Sequence, residues 1–133
     1  VSTQIKTHVG KRVLLVEDNA INLEIAEEIL GRTGVELETA SNGKEALECV
    51  SQSAEGYYDI IFMDIQMPVM DGWTASVKIR ELDRQDVRTI PIIAMTANAF
   101  ADDRQKTTES GMNEHLAKPI DIPQLYQILD RFL

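Results

Sequence analysis

Five polar residues stand where short apolar runs stop. Glu17 and Asp18 close Val13-Leu14-Leu15-Val16, and Asp64 closes Tyr58-Asp59-Ile60-Ile61-Phe62-Met63. Thr96 closes Pro91-Ile92-Ile93-Ala94-Met95, and Lys118 follows Glu114 to Ala117. Singly, each has an ordinary role open to it: Asp18 as a helix cap, Thr96 as a loop start, Lys118 as a solvated charge. Gathered at one place they would do chemistry. Three close carboxylates repel one another, so the group calls for a cation. Mg²⁺ suits it, since that ion takes oxygen ligands, keeps several waters and is held by one or two carboxylates plus a phosphate. The Cys and His ligands that would favour zinc are missing from the run ends. A carboxylate can attack phosphorus and form an aspartyl-phosphate. The transferring phosphoryl group chiefly needs its charge stabilised. Lys118, a compact cation on a flexible stem, would do this opposite the metal, and Thr96 would hydrogen-bond a phosphoryl oxygen.

Such a gathering needs a scaffold, and the chain patterns supply one. Val13 to Val16 reads as a strand buried on both faces. Ala20 to Thr33 reads as a helix with Leu23, Ala26 and Leu30 on one stripe, widened by Ile25 and Ile29. Asn19 is its expected N-cap and Gly34 its expected stop. Val35 to Ala40 is a second strand. Asn42-Gly43 signals a turn, and Lys44 to Ser53 a helix with Ala46, Leu47 and Val50 inward. The third strand begins at Tyr58. Asp71-Gly72 opens a helix to about Leu82, with Ala75, Ile79 and Leu82 on one side. The fourth strand precedes Thr96, and Ala99 to Gly111 reads as a more polar helix. Glu114 to Ala117 is the fifth strand. Ile122, Leu125, Leu129 and Phe132 mark a last helix. Five strands alternating with five helices predict an α/β fold: a doubly wound, five-stranded parallel sheet of order 2-1-3-4-5, flavodoxin-like, (βα)5. In such a sheet the site lies at the carboxyl ends of the strands, where strand order reverses between strands 1 and 3. That is where Glu17, Asp18 and Asp64 fall, and the central position of strand 3 makes Asp64 the nucleophile. Asp18 and Glu17 are then metal ligands, directly or through water.

Composition narrows the class further. The 133 residues fit one domain, and 44% hydrophobic with 26% charged residues is ordinary globular material. The net charge of −9, with no basic patch, argues against gripping nucleic acid. One cysteine, Cys49, excludes an internal disulfide framework and fits a reducing compartment; its apolar helical setting reads as packing. No apolar run approaches the roughly 18 residues of a membrane span. Val1 to Gly10 has no signal-peptide core and reads as a leader or linker, with 11–133 as the folded unit. Trp73, in the first turn of the third helix, is read as a partly exposed packing residue close to Asp64. The methionines are read as gap-fillers.

Four motifs carry a family resemblance: Val16-Glu17-Asp18-Asn19, Met63 through Gly72, Ala94-Met95-Thr96-Ala97 and Lys118-Pro119. In this order they closely resemble the response-regulator receiver domain of two-component signalling, over about Lys11 to Leu133. The resemblance implies that Asp64 is phosphorylated by a histidine kinase or histidine phosphotransfer domain in a phosphorelay. It implies Mg²⁺, with Mn²⁺ as a substitute, on Asp18, Asp64 and the backbone carbonyl of Gln66, with Glu17 assisting. Thr96 and Lys118 resemble the residues that contact the phosphoryl group. Lys118-Pro119 resembles a cis bond of the family. Three residues before the lysine the family often carries a Tyr or Phe that swings inward; here stands His115. Histidine does occur there, so His115 is either Thr96's rotameric partner or a half-exposed strand residue. Gln66 and Asn98 match positions that border the phosphoryl group. The implied output surface is helix 4, strand 5 and helix 5.

Gly111 through Ile120 looks like the receivers attached to hybrid sensor histidine kinases, so the chain is expected to be a cytoplasmic piece of such a protein, with a membrane anchor elsewhere in the parent left open. By itself it is not expected to be a turnover enzyme, although it assists its own phosphorylation and dephosphorylation. Three other readings compete. An aspartyl-phosphate phosphatase of the haloacid dehalogenase type needs an acid two residues after the nucleophile, where Gln66 stands. A flavin mononucleotide carrier needs a Ser/Thr/Gly-rich loop after strand 1, where Glu17-Asp18-Asn19 would repel phosphate. A pseudo-receiver, acting only as an interaction module, typically lacks one of the key residues, and all are present.

Overall fold

The computed structural model describes residues 8–96, 101–118 and 120–133, with only the backbone of 101–103. Strands β1 (Arg12–Val16), β2 (Glu36–Ala40), β3 (Ile60–Asp64), β4 (Ile92–Thr96) and β5 (Glu114–Ala117) alternate with helices α1 (Ala20–Gly31), α2 (Gly43–Gln52), α3 (Gly72–Arg80), α4 (Ala101–Glu109) and α5 (Ile122–Phe132). The strands pair in parallel in the order β2-β1-β3-β4-β5, as the alternation predicted.

Both faces of the sheet are covered, which is why β3 and β4 are buried at every position. On one face Leu14, Val16, Ile61, Met63, Ile92 and Ala94 pack with Ala46 and Val50 of α2 and Ala75 and Ile79 of α3. On the other, Val13, Leu15, Ile60, Phe62, Ile93, Met95 and Leu116 pack with Ala26, Ile29 and Leu30 of α1 and Leu125, Ile128 and Leu129 of α5. Side-chain caps start the helices. Asn19 accepts from the amides of Ile21 and Asn22, Asn42 from Glu45, Asp71 from Thr74 and Asp121 from Gln124.

Several boundaries differ from those expected. The α-helical bonding of α1 ends at Gly31, and tight turns carry the chain on to Gly34, whose φ of 82° ends the helical path as expected. Ile25 and Ile122, expected on inward stripes, are exposed. Asn42-Gly43 does not stand free as a turn but caps and opens α2. Tyr58 precedes β3 rather than belonging to it, its hydroxyl donating to Glu38 of β2. Leu82 lies beyond α3, and a 3₁₀ turn at Asp86–Arg88 was not foreseen. Arg84 fixes that connection by donating to the carbonyls of Val50, Ser53 and Ala54 and to Asp86. The expected start of α4 at Ala99 falls outside the described residues.

The sheet presents Asp64 through one tight contact. Gly72 donates its amide to the Ile65 carbonyl at 2.8 Å, which brings the start of α3 against the end of β3. A Cβ on Gly72 would stand 2.3 Å from the Asp64 carbonyl oxygen. Gly72→Ala should therefore cost about 2 kcal/mol or more in urea unfolding, since backbone would have to move. Gly31→Ala, with nothing within 4 Å of the new methyl, should stay within about 1 kcal/mol of the parent. Equal effects at both positions would refute the contact.

Candidate functional site

The end of β1 delivers Glu17 and Asp18, and the end of β3 delivers Asp64. Their carboxylates can each offer an oxygen such that the three lie within 4.8 Å of one another. Burial grades them: Glu17 is 3% exposed and Asp64 4%, whereas Asp18 is open to solvent. Lys118, just past β5, reaches across two strands. Its Nζ donates to Glu17 Oε1 and Oε2 at 2.9 and 3.0 Å and pairs with Asp64 Oδ2 at 2.9 Å. The Lys118 amide also donates to the Thr96 carbonyl, which aligns the ends of β4 and β5. Asp64 Oδ1 accepts from the Gln66 amide at 3.2 Å.

The open cleft over this cluster is walled by Asp18, Asn19, Asn22, Asp64, Ile65, Gln66, Thr96 and Lys118. Glu17 is not part of that wall. It lies behind Lys118, in a groove with Ile25, Ala26, Met95 and Ile120. The structure thus brings Asp18, Asp64, Gln66, Thr96 and Lys118 to one cleft and sets Glu17 behind it. His115 stands apart. It pairs in register with Ala94 on β4, two positions before the Thr96–Ala117 pair, so it shares Thr96's face of the sheet. Its ring is half-buried, 3.7 Å from the Glu114 carboxylate. Asn98 and Pro119, and with Pro119 the Lys118-Pro119 bond, lie outside the described residues. Asn22 was missed. It sits three residues after the cap Asn19, and helical spacing alone could have placed it over the cleft.

Trp73 is partly buried, as read, but does more than fill space. Its indole N–H donates to Thr107 of α4 at 3.2 Å, and the Lys106 ammonium lies 4.1 Å from its ring centroid. Cys49 is half-buried beside α2's core contacts, and burial pushes its thiol pKa up, which fits packing rather than reactivity.

The electrostatics follow from burial and the shared lysine. Desolvation raises the Asp64 pKa, the neighbouring Glu17 raises it further, and Lys118 only partly opposes them, leaving it at about 7. For Glu17 burial also works against the charge, but hydrogen bonds with Asp64 and Lys118 and the lysine's charge win, and its pKa is lowered. For Lys118 burial is outweighed by Glu17 and Asp64, and its pKa is raised. One ammonium against three carboxylates leaves two negative charges to balance. That deficit, with all-oxygen donors, fits a hard divalent cation such as Mg²⁺.

Comparison with known proteins gives the same picture. The model of the response regulator receiver domain family matches residues 13–130. The chain is 39% identical over 122 residues to hybrid signal transduction histidine kinase L of Dictyostelium discoideum, covering 91% of this chain and 7% of that protein. It is 38% identical over 117 residues to sensor histidine kinase RcsC of Salmonella typhi, covering 88% of this chain and 12% of the relative. The chain therefore spans only a small part of the curated relatives it matches. Among solved structures, it resembles the receiver domain of a sensor histidine kinase from Pseudomonas aeruginosa PAO1, solved with magnesium coordinated in the active site cleft. There the identity is 38% and the TM-score 0.83, covering 93% of this chain and 98% of the other. A second is the Saccharomyces cerevisiae co-crystal of the histidine phosphotransfer protein Ypd1 with the receiver domain of the response regulator Ssk1. It gives 31% identity and a TM-score of 0.85, covering 96% of this chain and 91% of that one.

The raised Asp64 pKa has a sign that can be tested. Its contribution to stability is present below the ordinary carboxylate pKa of 3.8 and is lost as pH rises through about 7. Without divalent cation, Asp64→Asn should be the more stable protein at pH 8, by at least about 1.4 kcal/mol, the worth of one pKa unit. The gap should narrow on acidification to pH 5 and vanish only below the ordinary carboxylate pKa of 3.8. Urea titrations at the two pH values read it, and a gap independent of pH would contradict the assignment. Adding Mg²⁺ at pH 8 should stabilise the parent more than the variant.

Proposed function

Since the chain belongs to the response regulator receiver domain family, we propose that Asp64 is its phosphoryl acceptor and that a phosphohistidine on a histidine kinase or histidine phosphotransfer domain is the donor. The observation that carries this reading is Asp64 itself: a carboxylate at the end of the central strand, buried, bonded to one lysine and open to a cleft edged by a second acid. Residues 11–133 form the receiver unit and 1–10 a linker, within a larger hybrid histidine kinase that is cytoplasmic in this part. Among the described residues no helix is long and apolar enough to cross a membrane.

Asp18, Asp64 and the Gln66 carbonyl would hold Mg²⁺, with Glu17 assisting through water, and Mn²⁺ would serve in its place. When bound, the ion neutralises charge on the phosphoryl oxygens and favours the ionised form of Asp64. The chain's own groups do the rest. A carboxylate oxygen of Asp64 attacks phosphorus; the new P–O bond forms as the P–N bond breaks, and the electron pair returns to the imidazole nitrogen. Lys118 steadies the transferring group from the side opposite Asp18. Thr96, at the end of β4, offers its hydroxyl to a phosphoryl oxygen. His115, on Thr96's face of the sheet, is the candidate rotameric partner that follows the hydroxyl. The added charge, about −1.5 to −2, then biases the ends of β4 and β5 and the surface of α4, β5 and α5.

Incubation with Mg²⁺ and acetyl phosphate, followed by intact mass measurement, should add one phosphoryl group to the parent chain. Asp64→Asn and Mg²⁺-free samples should add none, and Lys118→Ala should label more slowly. Labelling of Asp64→Asn as efficiently as the parent would sink the assignment.

A further inference from the structure

The loop that leads from Asp64 to α3 contains one residue that the fold holds at a cost. Val69 has φ of 70°, and among the described residues it is the only non-glycine with positive φ. The Met70 amide donates to the Pro68 carbonyl at 2.8 Å, closing a three-residue turn with Val69 at its centre. This is the positive-φ form of the γ-turn, which is rare and strained. A β-branched side chain makes it worse, because Cβ crowds the backbone in the left-handed region. Glycine or asparagine would adopt the same φ with far less strain.

The neighbours explain why the backbone stays there. Met67 and Met70 pack against the core on either side of Pro68 and Val69. The Met70 carbonyl accepts from the Gly43 amide at 3.0 Å, and a Cβ on Gly43 would lie 2.5 Å from that oxygen, so the approach of α2 is as close as backbone allows. Asp71 caps α3, and Gly72 is tied to Ile65. The pinned ends hold residue 69 in this conformation. Yet the side chain gives the fold nothing in return. Val69 is 78% exposed, the most exposed large hydrophobic among the described residues. Its loop begins at Ile65, which with Gln66 lines the cleft that holds Asp64. Ile21, in sequence between the cleft residues Asn19 and Asn22, is also exposed, at 69%.

We propose that Val69 is a partner-contact residue that sets how efficiently Asp64 receives its phosphoryl group. Its isopropyl group, held outward by the strained turn, would pack against the protein that presents the phosphohistidine. The proposal rests on the reading of Asp64 as acceptor. It concerns delivery by a protein donor, not the chemistry at Asp64, and so it can fail separately.

The test compares the parent chain with Val69→Asn, Val69→Gly and Val69→Ile. Asparagine and glycine relieve the turn and remove the apolar contact; isoleucine keeps both. Three measurements are made on each: thermal midpoint, labelling by acetyl phosphate with Mg²⁺, and transfer from phosphorylated Ypd1 of Saccharomyces cerevisiae at limiting receiver concentration. Val69→Asn should melt about 3 °C higher than the parent and label with acetyl phosphate at the parental rate. Its transfer from phospho-Ypd1 should fall roughly tenfold, the scale expected for loss of one buried valine contact. Val69→Gly should lose transfer similarly, and Val69→Ile should keep it. Parental transfer rates in both Val69→Asn and Val69→Gly would overturn the proposal. So would an equal loss of acetyl phosphate labelling, which would make Val69 a support of the Asp64 site rather than a contact. A parent that labels with acetyl phosphate but accepts nothing from phospho-Ypd1 would also overturn it, leaving Asp64 as acceptor. A parent that labels from neither donor would instead refute the acceptor reading.

Discussion

The ion pairing of Lys118 organises this molecule's working edge. One ammonium touches Glu17 from β1 and Asp64 from β3 while its own backbone is bonded to the end of β4. Four strand ends are thereby tied through a single residue. A buried ion pair of this kind contributes little net stability, because desolvation offsets most of the Coulomb gain. Its consequence is geometric. It holds two carboxylates that would otherwise repel, and it leaves two negative charges unbalanced at the mouth of a cleft. The hydrophobic layers on both faces of the sheet supply the stability that lets this unfavourable cluster persist.

The sequence disclosed this arrangement well where physics is periodic or local. Uninterrupted apolar runs such as Ile60 to Met63 could only be strands covered on both faces, and the alternation with helices then dictated parallel pairing. Once strand order was inferred, Glu17, Asp18, Asp64, Thr96 and Lys118 fell on one edge without further assumptions. What could not be read depended on who faces whom. Ile25 and Ile122 satisfy helical spacing, yet they are exposed. Glu17 and Asp18 are adjacent in sequence and alike in chemistry, but strand alternation sends them apart: one is buried behind Lys118, the other faces solvent. Gly43 looked like turn punctuation. Its actual constraint is a carbonyl from a loop some thirty residues away, a contact that no local pattern encodes.

The same distinction separates two kinds of residue in the loop after β3. Met67, Met70, Asp71 and Gly72 are explained by the fold, through core contact, a cap and a close backbone approach. Val69 is not, since its backbone is strained and its side chain is in water. Local rules broken without an internal gain point outward, to function. Trp73 points the other way. It stands one residue past Gly72 and bonds Thr107, which ties the start of α3, and with it the loop from Asp64, to α4. In this chain, then, the loop has an outward arm at Val69 and an inward one at Trp73.

A phosphoryl group arriving at Asp64 would meet a lysine that is already fully engaged. The Lys118 ammonium makes three contacts to carboxylate oxygens, two on Glu17 and one on Asp64. To reach a phosphoryl oxygen, Nζ would have to weaken at least one of them, and forming an acyl phosphate on Asp64 would itself weaken the Asp64 contact, since the carboxylate loses its charge. Lys118 sits at the end of β5 and donates its amide to Thr96, so its displacement is felt by both strands that carry the site. No long pathway is needed to pass the event onward. The side chain proposed to stabilise the new charge is the one that holds the present arrangement together, so a rearrangement would begin within hydrogen-bonding distance of the chemistry.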